Sequence, residues 1–302
     1  MTGISRRGFV GGSIATMAAL QYRHVIAGNE PDIIDVSGTD CAKMVTAGLA
    51  ALGGMGRFVK KGDFVVIKPN AAFANPAAWG STTHPDTVVA IAKACLEAKA
   101  KEVLILEFPQ GKGEKCLERC GLKAAMAQVP QAKIKLLSEA ADFRKVTVKG
   151  GIALKSVEVA KAILSADVFI NVPAAKSHFQ AGVSFGLKNH MGLIFDRQIF
   201  HTGLDLHQAV ADLGRVIVPQ LTILDATRAL LTNGPAGPGD TVTPGRIIVG
   251  SKVTAVDAYG LTVAKFNNRN LTPGDVRHIE LAGKAGLGVI DVAKMKVKKV
   301  SA

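Results

Sequence analysis

The feature that most constrains this chain is a repeated pairing of short, uninterrupted apolar runs with residues able to do chemistry. "FVVI" runs into Lys68 and Asn70, "VLIL" into Glu107, "VFI" into Asn171, Lys176 and His178, and "LTIL" into Asp225 and Arg228. A run apolar at every position, rather than at alternate ones, suits a strand covered on both faces, as parallel strands are. Between the runs lie amphipathic stretches. In "HPDTVVAIAKACLEAKA" an early proline opens a segment whose Val88, Ile91, Ala92, Cys95 and Leu96 share one helical face. Strand and helix alternate along the chain, so the expected fold class is α/β: a largely parallel sheet with helices on both faces, with or without a smaller subdomain. "AKIKLLSE", "RKVTVKG" and "GRIIVGS" read as further strands, and "KCLERCGLKAAMAQ", "VEVAKAILSA", "DLHQAVADLGRVIV" and "VTAVDAYGLTVAKF" as helices. The alternating "KMKVKKV", Lys294 to Val300, reads as an edge strand with lysines facing water.

In open α/β sheets a ligand crevice lies outside the carboxyl ends of the strands. If the four runs are parallel neighbours, their polar tails meet at one rim. The densest part of that rim is "PAAKSHFQAGVSFGLKNHMG", Pro173 to Gly192, where lysines, histidines and an asparagine punctuate small and apolar residues. Lys68, Asn70, Asn171 and Asn189 are the candidates for binding a cofactor or ligand. Lysine and asparagine in a glycine-rich setting suit a carboxylate or phosphate. Lys176, Lys188 and His201 are the candidates for catalysis, since a partly buried lysine can serve as a base. His178, His201 and Asp225 form the candidate set for a divalent transition metal, the imidazole and carboxylate chemistry of such sites. His207, Asp196 and Asp205 lie close by in sequence, but no H-x-x-x-H or H-E-x-x-H spacing is present. His84 opens a helix, where it would cap or bind. Thr232 to Gly245, "TNGPAGPGDTVTPG", is a surface connector or a lid.

No G-x-G-x-x-G, G-x-x-x-x-G-K-[ST] or G-x-S-x-G pattern occurs, so the usual nucleotide and hydrolase sites are not expected. The four cysteines, Cys41, Cys95, Cys116 and Cys120, contain no C-x-x-C pair, so there is no iron–sulfur motif. Cys116 and Cys120 share a helix face and would pack, pair or bind a metal.

The start of the chain reads differently. "SRRGFVGGSIATMAALQ" has the S-R-R-x-F pattern of a twin-arginine export signal, followed by a short apolar run and small residues at Val25–Ala27. Residues 1–27 are therefore the expected signal segment and 28–302 the α/β domain, placing the protein in the periplasm or outside the cell. The other reading is a basic amphipathic helix that stays attached. The chain carries a net charge of +13, which favours a small anionic ligand, an anionic surface, or a polyanion such as nucleic acid. With one Trp and two Tyr, it has little to stack bases on.

The segments "VKKGDFVVIKPN", "TTHPDTVVAIAKACLEAKAKEVLILE", "ADVFINVPAAKSH", "GLKNHMGLI", "LTILDATRALLTNGPAGPG" and "TAVDAYGLTVAKF" occur in the order seen in the proteins called domain of unknown function 362. The resemblance covers roughly residues 40–290. It implies roles for Pro173, Lys176, His178, Lys188, Asn189, His201 and Asp257, which match that family's recurring positions. Many such proteins carry a ferredoxin-like cysteine cluster that this chain lacks, and an aspartate is usual where Glu107 stands. Two readings of function follow: an exported enzyme or cofactor protein whose rim binds a metal or small anion, or a non-catalytic basic protein that binds polyanions or serves in assembly.

Overall fold

A computed structural model of the protein describes residues 30–302. The twin-arginine segment lies outside the described residues. In chain order the first elements are β1 (Ile33–Ser37), α1 (Cys41–Ala51), β2 (Phe64–Pro69), α2 (Pro85–Glu97), β3 (Glu102–Glu107), α3 (Gly113–Arg119), α4 (Leu122–Met126) and β4 (Ala132–Leu136). Next come β5 (Phe143–Thr147), β6 (Ser156–Ala160), α5 (Lys161–Ser165), β7 (Val168–Val172), β8 (Ala174–His178), β9 (Gly182–Ser184), α6 (Gly186–Asn189), α7 (Ile199–Thr202) and α8 (Leu206–Leu213). The chain finishes with β10 (Leu221–Leu230), β11 (Thr241–Val242), β12 (Arg246–Gly250), α9 (Val253–Gly260), α10 (Arg277–Lys284) and β13 (Val297–Ser301).

One mixed sheet runs in the order β13-β1-β12-β10-β7-β2-β3-β4, with β8, β9 and β11 joined to β10 or to each other. The expected rim strands β10, β7, β2 and β3 are consecutive, and each is parallel to its neighbour. Because side chains alternate across a strand, each strand feeds two cores. In β3, Val103 and Ile105 belong to the core shared with α1, α2 and α4 on one face. Leu104 and Leu106 belong to the core that includes α8, α9 and α10 on the other. That double burial is why these runs show no polar alternation. The sheet therefore has helices on both faces, as the sequence indicates.

Two local readings change. "VEVAKAILSA" is not one helix: Ser156–Ala160 is a strand paired antiparallel with β5, and only Lys161–Ser165 is helical. Val157 and Val159 are buried around an exposed Glu158, a period-two pattern in β-branched residues that outweighs the alanines beyond it. The β5–β6 hairpin packs Phe143, Val157 and Val159 into the larger core. "KCLERCGLKAAMAQ" is two helices, broken where Gly121 takes a φ of 81° that a side chain would resist. β13 is the expected edge strand, parallel to β1, with Lys298 and Lys299 exposed. No helix among the described residues is long and apolar enough to cross a membrane.

Candidate functional site

At the carboxyl ends of β2, β7 and β3 a cavity of about 380 Å³ opens. Its polar lining is Lys68, Asn70, Glu107, Gln110, Lys176, His178, Gln180, Ser184, Lys188, Asn189, Arg197 and His201, and its apolar lining includes Phe73, Phe179, Met191 and Pro235. The sequence brings most of these together by one device. β2 and β7 pair in register with Lys68 opposite Asn171, and the chain leaving β7 continues in the same direction along β10 as β8, carrying Lys176 and His178. The short helix α6 then delivers Lys188 and Asn189. Its start is held by Asp257 of α9, whose carboxylate accepts hydrogen bonds from the backbone of Gly186 at 2.7 Å and Leu187 at 2.8 Å. Burial raises the Asp257 carboxyl to about 7 against the pull of those two donors.

Three lysines face three different environments. Lys68 is buried and paired with equally buried Glu107 at 2.7 Å. Burial lowers its pKa, and Glu107 opposes the shift. Glu107 also accepts from the backbone of Ala71 at 2.6 Å and Phe108 at 2.9 Å. Lys176 is fully buried, donates to Asn70 Oδ1 at 2.9 Å and to the Ser81 carbonyl at 2.5 Å, and sits 4.9 Å from the Phe73 ring centre. Lys188 is buried as well, yet among the described residues its Nζ has only the Met191 sulfur as hydrogen-bond partner, at 2.9 Å. Burial lowers both Lys176 and Lys188 to about 7, with Glu107 opposing the shift for Lys176 and nearby Arg197 adding to it for Lys188. Neither has a carboxylate partner among the described residues, and an unpaired buried charge costs several kcal/mol.

The two histidines stack with ring centres 6.3 Å apart, and their partners fix complementary tautomers. His178 Nδ1 accepts from the backbone N–H of Gln180 and of Ala181, both at 3.2 Å, so its proton sits on Nε2. Burial, with Lys188 and His201 near, pushes this imidazole down to about 2, so it is a neutral hydrogen-bond donor. His201, at the mouth, donates Nδ1–H to Gln180 Oε1 at 2.5 Å, leaving Nε2 with a free lone pair. Burial and Lys188 lower its pKa too.

Two expected site residues lie elsewhere. Asp225 faces the opposite side of the sheet: it accepts from the His84 backbone at 2.7 Å and from the hydroxyls of Thr87 at 3.3 Å and Thr227 at 2.6 Å. It secures the start of α2, where His84 is the cap. The coordination set of His178, His201 and Asp225 is thus not assembled, and His178 Nε2 is occupied by a proton. Among the described residues no group of three or more His, Cys, Asp or Glu is arranged to hold a metal. Asn171 lies beneath the cavity. It donates to the Gly186 carbonyl at 3.0 Å and accepts from Asn189 at 2.8 Å, while Asn189 in turn accepts from Asn70 at 3.0 Å. These three amides brace β2, β7 and α6 against each other, so Asn70 and Asn189 line the cavity with much of their bonding capacity spent.

Arg197 was not singled out by the sequence. It stacks 4.1 Å from the Phe108 ring centre and donates to the carbonyls of Phe108 and Pro109, at 2.8 and 3.1 Å. Of Thr232 to Gly245, Pro235 reaches the cavity wall and Thr241–Val242 pairs with β10. Cys116, Cys120, Cys41 and Cys95 are free and buried.

The chain belongs to the family described as domain of unknown function (DUF362), whose model matches residues 65–262. A thylakoid-associated protein of Synechocystis sp. is 30% identical over 222 residues, 69% of this chain and 65% of the relative. The chain therefore spans a little less than two thirds of that relative's length. Among solved structures, lactate racemase apoprotein from Thermoanaerobacterium thermosaccharolyticum is similar with a TM-score of 0.44 at 17% identity, covering 64% of this chain and 51% of that one.

Proposed function

We propose that this family member binds a small organic anion, a carboxylate or phosphate, in the cavity at the carboxyl ends of β2, β7 and β3, and works as an enzyme or cofactor protein there. The observation that carries the reading is the pair Lys176 and Lys188: two buried amines that line one cavity and have no carboxylate partner among the described residues. An incoming anion supplies the missing counter-charge, and Arg197 adds positive potential at the wall. His178 offers Nε2–H as a directional donor, and His201 offers a lone pair able to take a proton. Phe73, Met191 and Phe179 give an apolar surface for the ligand's carbon skeleton. Export by the twin-arginine route belongs to the same proposal, supported by Arg6 and Arg7 in their S-R-R-x-F setting.

The test is a thermal-shift and calorimetric panel of oxalate, pyruvate, inorganic phosphate and phosphoglycolate, with Lys176→Met as the control. The expected result is stabilisation by at least one anion that the variant loses. Equal response of the variant, or no response to any anion, would overturn the reading. The polyanion alternative is read in the same samples, because binding to the lysine-rich surface would fall steeply with salt and be indifferent to Lys176.

A further inference from the structure

We propose that Lys188 is an imine-forming nucleophile, and that the ligand is a small aldehyde or ketone bearing a carboxylate or phosphate. The inference rests on the anion-binding reading and adds the chemistry of the carbonyl.

A lysine attacks a carbonyl only as a free amine with its lone pair exposed, so the question is which lysine of this site is free. Lys68 is held by Glu107 at 2.7 Å and by the Pro69 carbonyl at 2.5 Å. Lys176 points two of its N–H bonds at oxygen acceptors, which favours the ammonium and pins its position. Among the described residues Lys188 Nζ has only a thioether as hydrogen-bond partner, and sulfur is a weak acceptor that does little to hold a proton. Its amine lines the same cavity as Lys176, next to Met191. The division of labour follows: Lys176 and Arg197 hold the anionic group, and Lys188 meets the carbonyl.

The backbone keeps the nucleophile in place. α6 is a single turn, and its first two N–H groups are clamped by the buried Asp257 carboxylate. Gly186 admits that clamp because a Cβ there would lie 2.5 Å from Val253 and 2.8 Å from Asp257 Oδ1.

The step balances without a redox partner. The Lys188 amine adds to the carbonyl carbon, forming a C–N bond and moving one electron pair to oxygen. The nitrogen loses two protons in all, the carbonyl oxygen leaves as water, and a C=N bond remains. In this step His201 Nε2, with its free lone pair, accepts a proton from nitrogen, and His178 donates Nε2–H to the departing oxygen; both rings line the same cavity as Lys188.

The experiment treats the full-length protein with sodium borohydride in the presence of pyruvate or glyoxylate, and separately of dihydroxyacetone phosphate or glyceraldehyde 3-phosphate, followed by intact mass and peptide mapping. Borohydride supplies the hydride that turns the imine into a stable secondary amine. The expected result is a stoichiometric adduct on Lys188 with one of the two pairs, which tells carboxylate from phosphate. Lys188→Arg should lose the adduct, and binding of oxalate or inorganic phosphate is read on the parent protein by calorimetry. Anion binding with no adduct on Lys188, or labelling spread equally over surface lysines, would overturn the imine while leaving the anion site standing. Neither binding nor adduct would overturn both.

Discussion

Replacing Glu107 with Gln should destabilise the protein by about 3–5 kcal/mol at pH 7, the cost of removing one partner of a buried ion pair. The structure says where that cost comes from. Lys68 and Glu107 are each about 1% exposed and 2.7 Å apart. The carboxylate serves two further donors, the backbone N–H of Ala71 and of Phe108, on different oxygens. An amide has one oxygen, so the glutamine can satisfy only one of those N–H groups, and it presents its own NH₂ to the other. It also leaves Lys68 with the Pro69 carbonyl as its remaining partner.

The fold can limit the damage by neutralising Lys68, whose pKa burial already lowers. A lysine with a folded pKa below its unfolded value of about 10.4 binds fewer protons when folded across that window, so the variant's stability rises with pH there. The loss is therefore full below the folded pKa and shrinks as pH approaches about 10. Urea unfolding followed by circular dichroism at several pH values measures both quantities, with a fall in Tm of roughly 6–20 °C at pH 7 as a cross-check. Adding Lys68→Met to Glu107→Gln should recover part of the stability, since two neutral groups replace a lone charge. A loss under about 1 kcal/mol with no pH dependence would refute the idea that this pair is a dry, mutually dependent unit.

Other expectations follow from the same geometry. Gly192→Ala would place a Cβ 2.7 Å from Lys68 Cε and 2.9 Å from its Nζ, so it should cost about 1–3 kcal/mol in chemical denaturation. It should also weaken anion binding by displacing the lysine end. His178→Asn keeps an acceptor where Nδ1 meets two N–H groups, and should stay within about 1 kcal/mol of the parent. His178→Ala, which leaves both donors bare, should lose about 1–3 kcal/mol, and thermal unfolding of the pair separates them. Alkylation after denaturation without reductant should modify Cys41, Cys95, Cys116 and Cys120 alike, because all are free in the fold; an unmodified pair by mass would contradict that.

The parallel strands and their common rim were legible because a strand buried on both faces leaves an unbroken apolar run whose end is marked by the first polar residue. The same property hides which face that polar residue takes. Asp225 ends "LTIL" much as Lys68 ends "FVVI", yet it shares its side of the sheet with Leu221 and Ile223, against α2, whereas Lys68 follows Val66 onto the other side. Without alternation, nothing in "LTILDATRA" distinguishes the two. Asn171 was placed at the right strand, but its amide is spent on α6, a partner whose position depends on Asp257, some 70 residues away in sequence. Arg197 carries no such signal because it comes from an irregular segment. Its neighbours, an aromatic ring and two carbonyls at Phe108 and Pro109, are brought to it only by the tertiary fold.

The central claim is that two buried amines await an anion, and proton uptake on binding tests it most directly. An anion with no aldehyde or ketone, such as oxalate or inorganic phosphate, stabilises the ammonium forms of Lys176 and Lys188, both lowered to about 7 in the free protein. Affinity should be full below that value and fall as pH rises above it, by up to about tenfold per unit for each proton linked. Calorimetry at pH 8 with the best such anion of the panel, in buffers of different ionisation enthalpy, reads the protons directly. The account expects net uptake, reduced in Lys188→Arg, whose guanidinium is already charged. Binding with no proton uptake, or uptake unchanged in that variant, would contradict it.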